Sequence, residues 1–191
     1  MELINPEHKK VLDGVFKKMP FPKKLFFGAW CCEYLQNTYG DHLNELGFHK
    51  AYAVLEAAVA FLWSAVDHYD TIEEEDIRSN LKAVINIDAG NRTLDFWKYK
   101  ECGVLKVMES VEMALNFLQN KKFSYIRACA YFPLEVLDSI VAGEGRLNGI
   151  ASGDTSSHPL LVAEFQKQIE MIEYLEKAKV LTSGNKWQLR I

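Results

Sequence analysis

Between Lys50 and Asp67 the chain carries one charged residue, Glu56. The apolar stretch Ala51 to Val66 is 16 residues long, short of the about 20 that a bilayer span needs, and Glu56 interrupts it. It therefore reads as a core helix, about 49–68. A helix apolar around most of its circumference has to be packed on most sides, so the sequence predicts an all-α bundle with this helix at its centre. The helix runs directly into the densest acidic cluster of the chain: residues 67–77 hold Asp67, Asp70, Glu73, Glu74, Glu75 and Asp76, with no Lys or Arg.

Six further helices follow from periodicity. Asn5 before Pro6 is an N-cap followed by proline at the first helical position, and Val11, Leu12, Val15, Phe16 and Met19 recur at helical spacing over 6–19. Pro20-Phe21-Pro22 ends that helix, and a second covers about 22–39 with Leu25, Phe26, Trp30 and Tyr34 inward. Gly40-Asp41 and Gly47 punctuate the path to the helix at 49. Thr71 and Glu74 fit a capping box for a helix at about 72–86. Asp88-Ala89-Gly90-Asn91 is turn chemistry, and Thr93 to Lys100 an irregular aromatic segment that can form a helical turn. Val104, Val107, Met108, Val111, Leu115 and Leu118 mark a helix at about 101–120. Another at 123–142 contains Pro133 and should be kinked or split there. Residues 142–157, with Gly143, Gly145, Gly149 and Gly153, read as the one long loop. His158-Pro159 opens a last helix to about 179, with Val162, Phe165, Ile169, Ile172 and Leu175 as its stripe, and the tail 180–189 has the residues of a short β-hairpin.

At 191 residues and 49% hydrophobic content the chain, 1–191, suits one domain with a sizeable core. Its formal charge of -4 disfavours general attachment to nucleic acid or anionic membrane. Without the six acids of 67–77 the remainder would be at +2, so the negative charge is concentrated. The first 24 residues lean the other way, with Lys9, Lys10, Lys17, Lys18, Lys23 and Lys24. The N-terminus lacks the basic start and apolar run of a secretory signal, which implies a cytoplasmic location. Cys31, Cys32, Cys102 and Cys129 lack C-x-x-C spacing and read as reduced core residues.

No catalytic constellation stands out. Di-metal bundles use Glu-x-x-His pairs, and the chain has none. Glu56 sits among Val54, Leu55, Ala57, Ala58 and Val59, where an unpaired charge would cost several kcal/mol; it faces a groove, pairs with a base from another helix, or serves as an acid of raised pKa. Asp67-His68-Tyr69-Asp70, with His42 and His49, does not complete a zinc set. Gly143 to Gly149 lacks the preceding strand and following Lys-Ser/Thr of a phosphate loop. No cofactor and no metal is expected.

Leu25-Phe26-Phe27-Gly28-Ala29-Trp30-Cys31-Cys32-Glu33, Tyr39, Leu46-Gly47-Phe48, the apolar helix to Trp63, the acidic-start helix 72–86 and His158-Pro159-Leu160-Leu161-Val162-Ala163-Glu164-Phe165 together resemble the bacterial domain of unknown function 416 family. The resemblance covers about 20–178. It implies an all-helical bundle and carries no established activity; the tail and the absence of a basic residue near Tyr34 depart from the family pattern.

One domain, acidic balance, a local anionic patch and no assembled active site together predict a cytoplasmic binding protein. The specific expectation is an immunity protein, as in contact-dependent growth inhibition, that occludes a basic nuclease toxin. Asp67, Asp70, Glu73, Glu74, Glu75 and Asp76 are its expected contacts, with the 142–157 loop as a clamp. The alternatives are a helical-bundle enzyme centred on Glu56 and a histidine, and an adaptor or dimeric scaffold. Nucleic acid and membrane are not expected partners.

Overall fold

The computed structural model describes residues 6–87, 94, 98–147 and 157–187. Among them the chain forms eight α-helices and no strand: α1 (Pro6–Lys18), α2 (Phe21–Tyr39), α3 (Asp41–Glu45), α4 (His49–His68), α5 (Glu74–Ile85), α6 (Tyr99–Asn120), α7 (Phe123–Leu147) and α8 (Pro159–Lys177). The all-α expectation holds. In place of the hairpin expected in the tail, Ser183–Asn185 forms a 3-10 turn closed by Thr182 and Asn185, whose side chains and backbone exchange hydrogen bonds. The Asn5 cap, the Asp88 to Asn91 turn, most of the 93–97 aromatic segment, the remainder of the glycine loop (148–156) and the end of the tail lie outside the described residues.

The central helix is α2. Pro20 and Pro22 flank its first residue, where a missing N–H removes no intrahelical bond. Leu25 to Cys32 are then buried without interruption, because α4, α6, α7 and α8 all pack on this helix. The predicted centre, α4, has the expected bounds but lies on one side of the bundle. Its buried residues Leu55, Ala58, Leu62 and Ala65 share one face, while Ala53, Glu56, Ala57, Ala60 and Ser64 form an exposed stripe. Exposed alanines made the helix look apolar all round. They cost little in water and favour helix, so Glu56 stands in solvent and the buried-acid reading of it falls away.

Pro133 neither ends nor splits its helix: α7 runs through it to Leu147 and takes up the first six residues of the expected loop. Packing holds the turn, since Phe132, Leu134 and Val136 are buried on either side of the proline. Gly47 supplies the left-handed residue (φ 86°) that lets α3 stop and α4 begin, with the Phe48 N–H reaching the Leu43 carbonyl at 2.7 Å. His158 caps α8 by accepting the Leu160 N–H at Nδ1, with Pro159 as the first helical residue.

All four cysteines are buried and reduced. Burial pushes the Cys129 thiol well above its ordinary range, reinforced by Cys32, and burial pushes Cys102 up against a hydrogen bond to Ser139. Native protein at about pH 8 should therefore show no thiol reacting with an aromatic disulfide reagent, whereas the denatured chain should show all four. A rapid native phase would contradict this packing.

Candidate functional site

The acidic corner is built where α4 ends and α5 begins. The Thr71 hydroxyl donates to the His68 carbonyl at 3.1 Å, and the Thr71 N–H to the same oxygen at 3.0 Å. Thr71 thus closes the end of α4 and does not cap α5, which starts two residues later than expected, after Glu73 and without a side-chain cap. Ile72, half-buried against the core, explains the shift: anchoring it inward sends the chain through an extra turn before the next helix. Glu74, Glu75 and Asp76 occupy the first turn of α5, at the positive end of its dipole.

The structure divides the six predicted contact residues. Asp67 is already engaged, accepting the Ser183 N–H at 2.7 Å and the Ser183 hydroxyl at 2.6 Å, and so ties the C-terminal segment to α4. Glu74 pairs with Arg78 at 2.7 Å, one turn along α5; both are exposed, so the pair contributes at most about 1 kcal/mol. Asp70, Glu73, Glu75 and Asp76 are exposed and have no ion pair among the described residues. Tyr69, 44% exposed, stands beside them as an amphipathic rim.

The histidines do not join this corner into a reactive centre. His42 bonds to Glu45 at 3.0 Å, and Lys100 reaches the same carboxylate at 2.9 Å. These hydrogen bonds, Lys100 first, hold the Glu45 carboxyl below its usual range. His49 bonds to Asn44. Among the described residues no group of three His, Cys, Asp or Glu side chains converges as metal ligands.

Sequence reasoning missed a polar seam inside the bundle. Lys106 on α6 is buried between Glu109 and Glu135, at 2.7 Å from each, with its ammonium 5.0 Å from the centre of the Phe132 ring. On α8, Gln168 is fully buried and donates to the Ala130 carbonyl at 2.9 Å and to Glu164 at 3.0 Å. Burial, with Tyr34, Cys102 and Glu164 nearby adding to it, drives the Tyr39 hydroxyl far above its ordinary range. The only hint in the sequence was register: Leu161, Glu164, Gln168, Met171 and Leu175 form the buried face of α8, whereas Val162 is 47% exposed. Two polar residues standing in core positions shifted the apparent stripe by one residue.

Concave surfaces also lie outside the corner, among them one of about 510 Å³ between the start of α4 and the end of α5, lined by Phe48, His49, Val54 and Asn86. A groove of about 860 Å³ runs along α1, lined by Lys10, Val11, Gly14, Val15, Lys18 and Lys23, with the Lys23 ammonium donating to the Glu176 carbonyl. A smaller pocket of about 250 Å³ opens between α2, α8 and the C-terminal segment. Among the described residues no helix is long and apolar enough to cross a membrane.

This order of helices can be compared with known proteins. No family model matches the chain, and no curated protein matches it. Among solved structures, a DUF416 family protein from Shewanella baltica OS155 superposes with a TM-score of 0.67. The chain has the fold of that DUF416 protein. The likeness covers 93% of this chain and 90% of the other at 20% sequence identity. It supports the DUF416 resemblance read from the helix motifs, and at that identity it shows the fold alone.

Proposed function

We propose that this helical bundle is a binding protein that docks a basic protein partner through its α4–α5 corner. Within that class we infer an immunity protein that occludes the active or substrate-binding face of a cognate nuclease toxin. The carrying observation is the set of four exposed carboxylates, Asp70, Glu73, Glu75 and Asp76, without an ion pair among the described residues. Helix-dipole complementarity accounts for Glu73 at the N-cap of α5 and for Glu75 and Asp76 in its first turn, but not for Asp70. Uncompensated like charges held on one corner repel each other, and a cationic surface relieves that repulsion while steering the encounter. A nuclease face shaped for phosphates is such a surface. Asp67, spent on Ser183, leaves the contact set and becomes the anchor of the neighbouring C-terminal segment.

The test is the triple variant Glu73→Lys/Glu75→Lys/Asp76→Lys against a toxin encoded beside this gene. All three positions are exposed, so the fold should persist, but lysines at the start of α5 oppose its dipole and should lower stability by about 1–2 kcal/mol. Association at low salt should slow by about 10–100-fold and lose most of its salt dependence. An unchanged association rate, or no binding of such a toxin by the wild-type protein, would refute the reading.

A further inference from the structure

The pocket between α2, α8 and the C-terminal segment has chemistry that the proposed function does not use. Its floor and walls on α2 are Trp30 and Tyr34, four residues apart and so on one helical face, and the indole of Trp187 closes the C-terminal side. Trp187 is 60% exposed, a large aromatic surface left on the rim of a cavity. Its segment is held in place from both ends: Ser183 bonds to Asp67 on α4, and Lys186 pairs with Glu33 on α2 at 2.8 Å. The Lys186 ammonium also lies 4.7 Å from the centre of the Trp187 ring and 6.0 Å from that of Trp63. This clasp fixes the wall of the pocket without filling it.

The charge of the lining points to a ligand class. Among the described residues Glu33 is the only carboxylate in it and is matched by Lys186, while Lys167 from α8 is exposed and has no ion pair. Asn37, on the same rim, has an amide without a hydrogen bond there. The lining therefore carries one net positive charge, which attracts an anion and repels a cation. Its volume, about 250 Å³, falls below the roughly 300–1,000 Å³ of sites for drug-sized molecules. Flat aromatic walls of that size suit one planar ring system.

We propose that the Trp30–Tyr34–Trp187 pocket binds a small aromatic carboxylate, its ring against the Trp187 indole and its carboxylate on Lys167. Asn37 is placed to donate a second hydrogen bond. This site is separate from the acidic corner, and its test does not involve the protein partner.

Calorimetric titration with indole-3-acetate, indole-3-acetamide and acetate separates the contributions. Indole-3-acetate should bind roughly tenfold more tightly than either the neutral amide or the ringless anion, the scale of one charge-assisted hydrogen bond or one ring contact. Lys167→Ala should remove the preference for the acid over the amide, and Trp187→Ala the preference for the acid over acetate. Both residues are exposed, so circular dichroism should show intact folds. Equal binding of the acid and the amide, equal binding of acetate, an undiminished Lys167→Ala variant, or no binding of indole-3-acetate at millimolar concentration would each overturn the proposal.

Discussion

Replacing Lys106 by alanine should destabilise the protein by about 3 kcal/mol, the scale of losing one member of a buried ion pair. The Lys106 side chain is 9% exposed, and its ammonium lies 2.7 Å from both Glu109 and Glu135. Burial works against the charge, but the hydrogen bonds to Glu109 and Glu135 outweigh it and raise the ammonium pKa above its ordinary value. Alanine removes the cation, its contact with Phe132, and the α6–α7 link made by Glu135, which is 21% exposed and would face the interior unpaired. Glu109, at 44%, can turn to water and loses less. Lys106→Met should retain the packing of the stem yet still be destabilised, and adding Glu135→Gln should recover most of that loss. Urea denaturation of the three variants tests this; equal stabilities for Lys106→Met and the wild type would show that the pair is not needed. The raised pKa also fixes the pH window. A group whose folded pKa exceeds its unfolded value stabilises the fold below the unfolded value and ceases to do so as pH rises through the folded one. On the alkaline side, the wild-type advantage should therefore be level from neutral pH and narrow above about pH 10.

The helices were legible because their starts and stops are chemical. Pro22, Gly47 and Pro159 act at backbone positions where proline or glycine has a local consequence, at the starts of α2, α4 and α8. Burial was less legible, since an apolar residue need not be inside. Ala53, Ala57 and Ala60 count as apolar and face water, which displaced the inferred centre of the bundle from α2 to α4. The converse error hid the polar seam: Lys106, Glu164 and Gln168 occupy core positions, made tolerable by Glu135 and the Ala130 carbonyl from α7 together with partners one turn along their own helices. Nothing local to residue 106 announces Glu135.

The acidic corner was legible as composition and not as geometry. Six acids in eleven residues mark the place, but which of them are free depends on residues far along the chain. Ser183 claims Asp67 across 116 positions, and the same segment brings Lys186 to Glu33 and Trp187 to the α2 pocket. A tail expected to pair with itself instead packs across two helices. The backbone N–H and hydroxyl of Ser183 find a stronger acceptor in a carboxylate than a two-stranded hairpin would offer.

Gly103→Ala should cost about 2 kcal/mol, the net of overpacking and a gain in helix propensity. Gly103 lies on α6 against Tyr39 of α2, and a Cβ there would come within 2.5 Å of both Cγ and Cδ1 of the Tyr39 ring and 3.0 Å of its Cβ. Those atoms are the base of a buried side chain. They cannot swing aside as a terminal methyl can, so the added carbon must push α2 and α6 apart. Overpacking of this kind costs typically 1–3 kcal/mol, and separating the helices also loosens α2 against the rest of the core. Replacing a mid-helix glycine by alanine otherwise gains roughly 0.5–1 kcal/mol. Gly14 on α1 isolates that gain, because a Cβ there meets nothing within 4 Å. Gly14→Ala should therefore stabilise the protein by about 0.5 kcal/mol, while Gly103→Ala destabilises it, with both read from urea denaturation midpoints. The opposite signs of two identical substitutions measure how closely α2 and α6 approach; a stabilised Gly103→Ala protein would mean that Tyr39 has room to move.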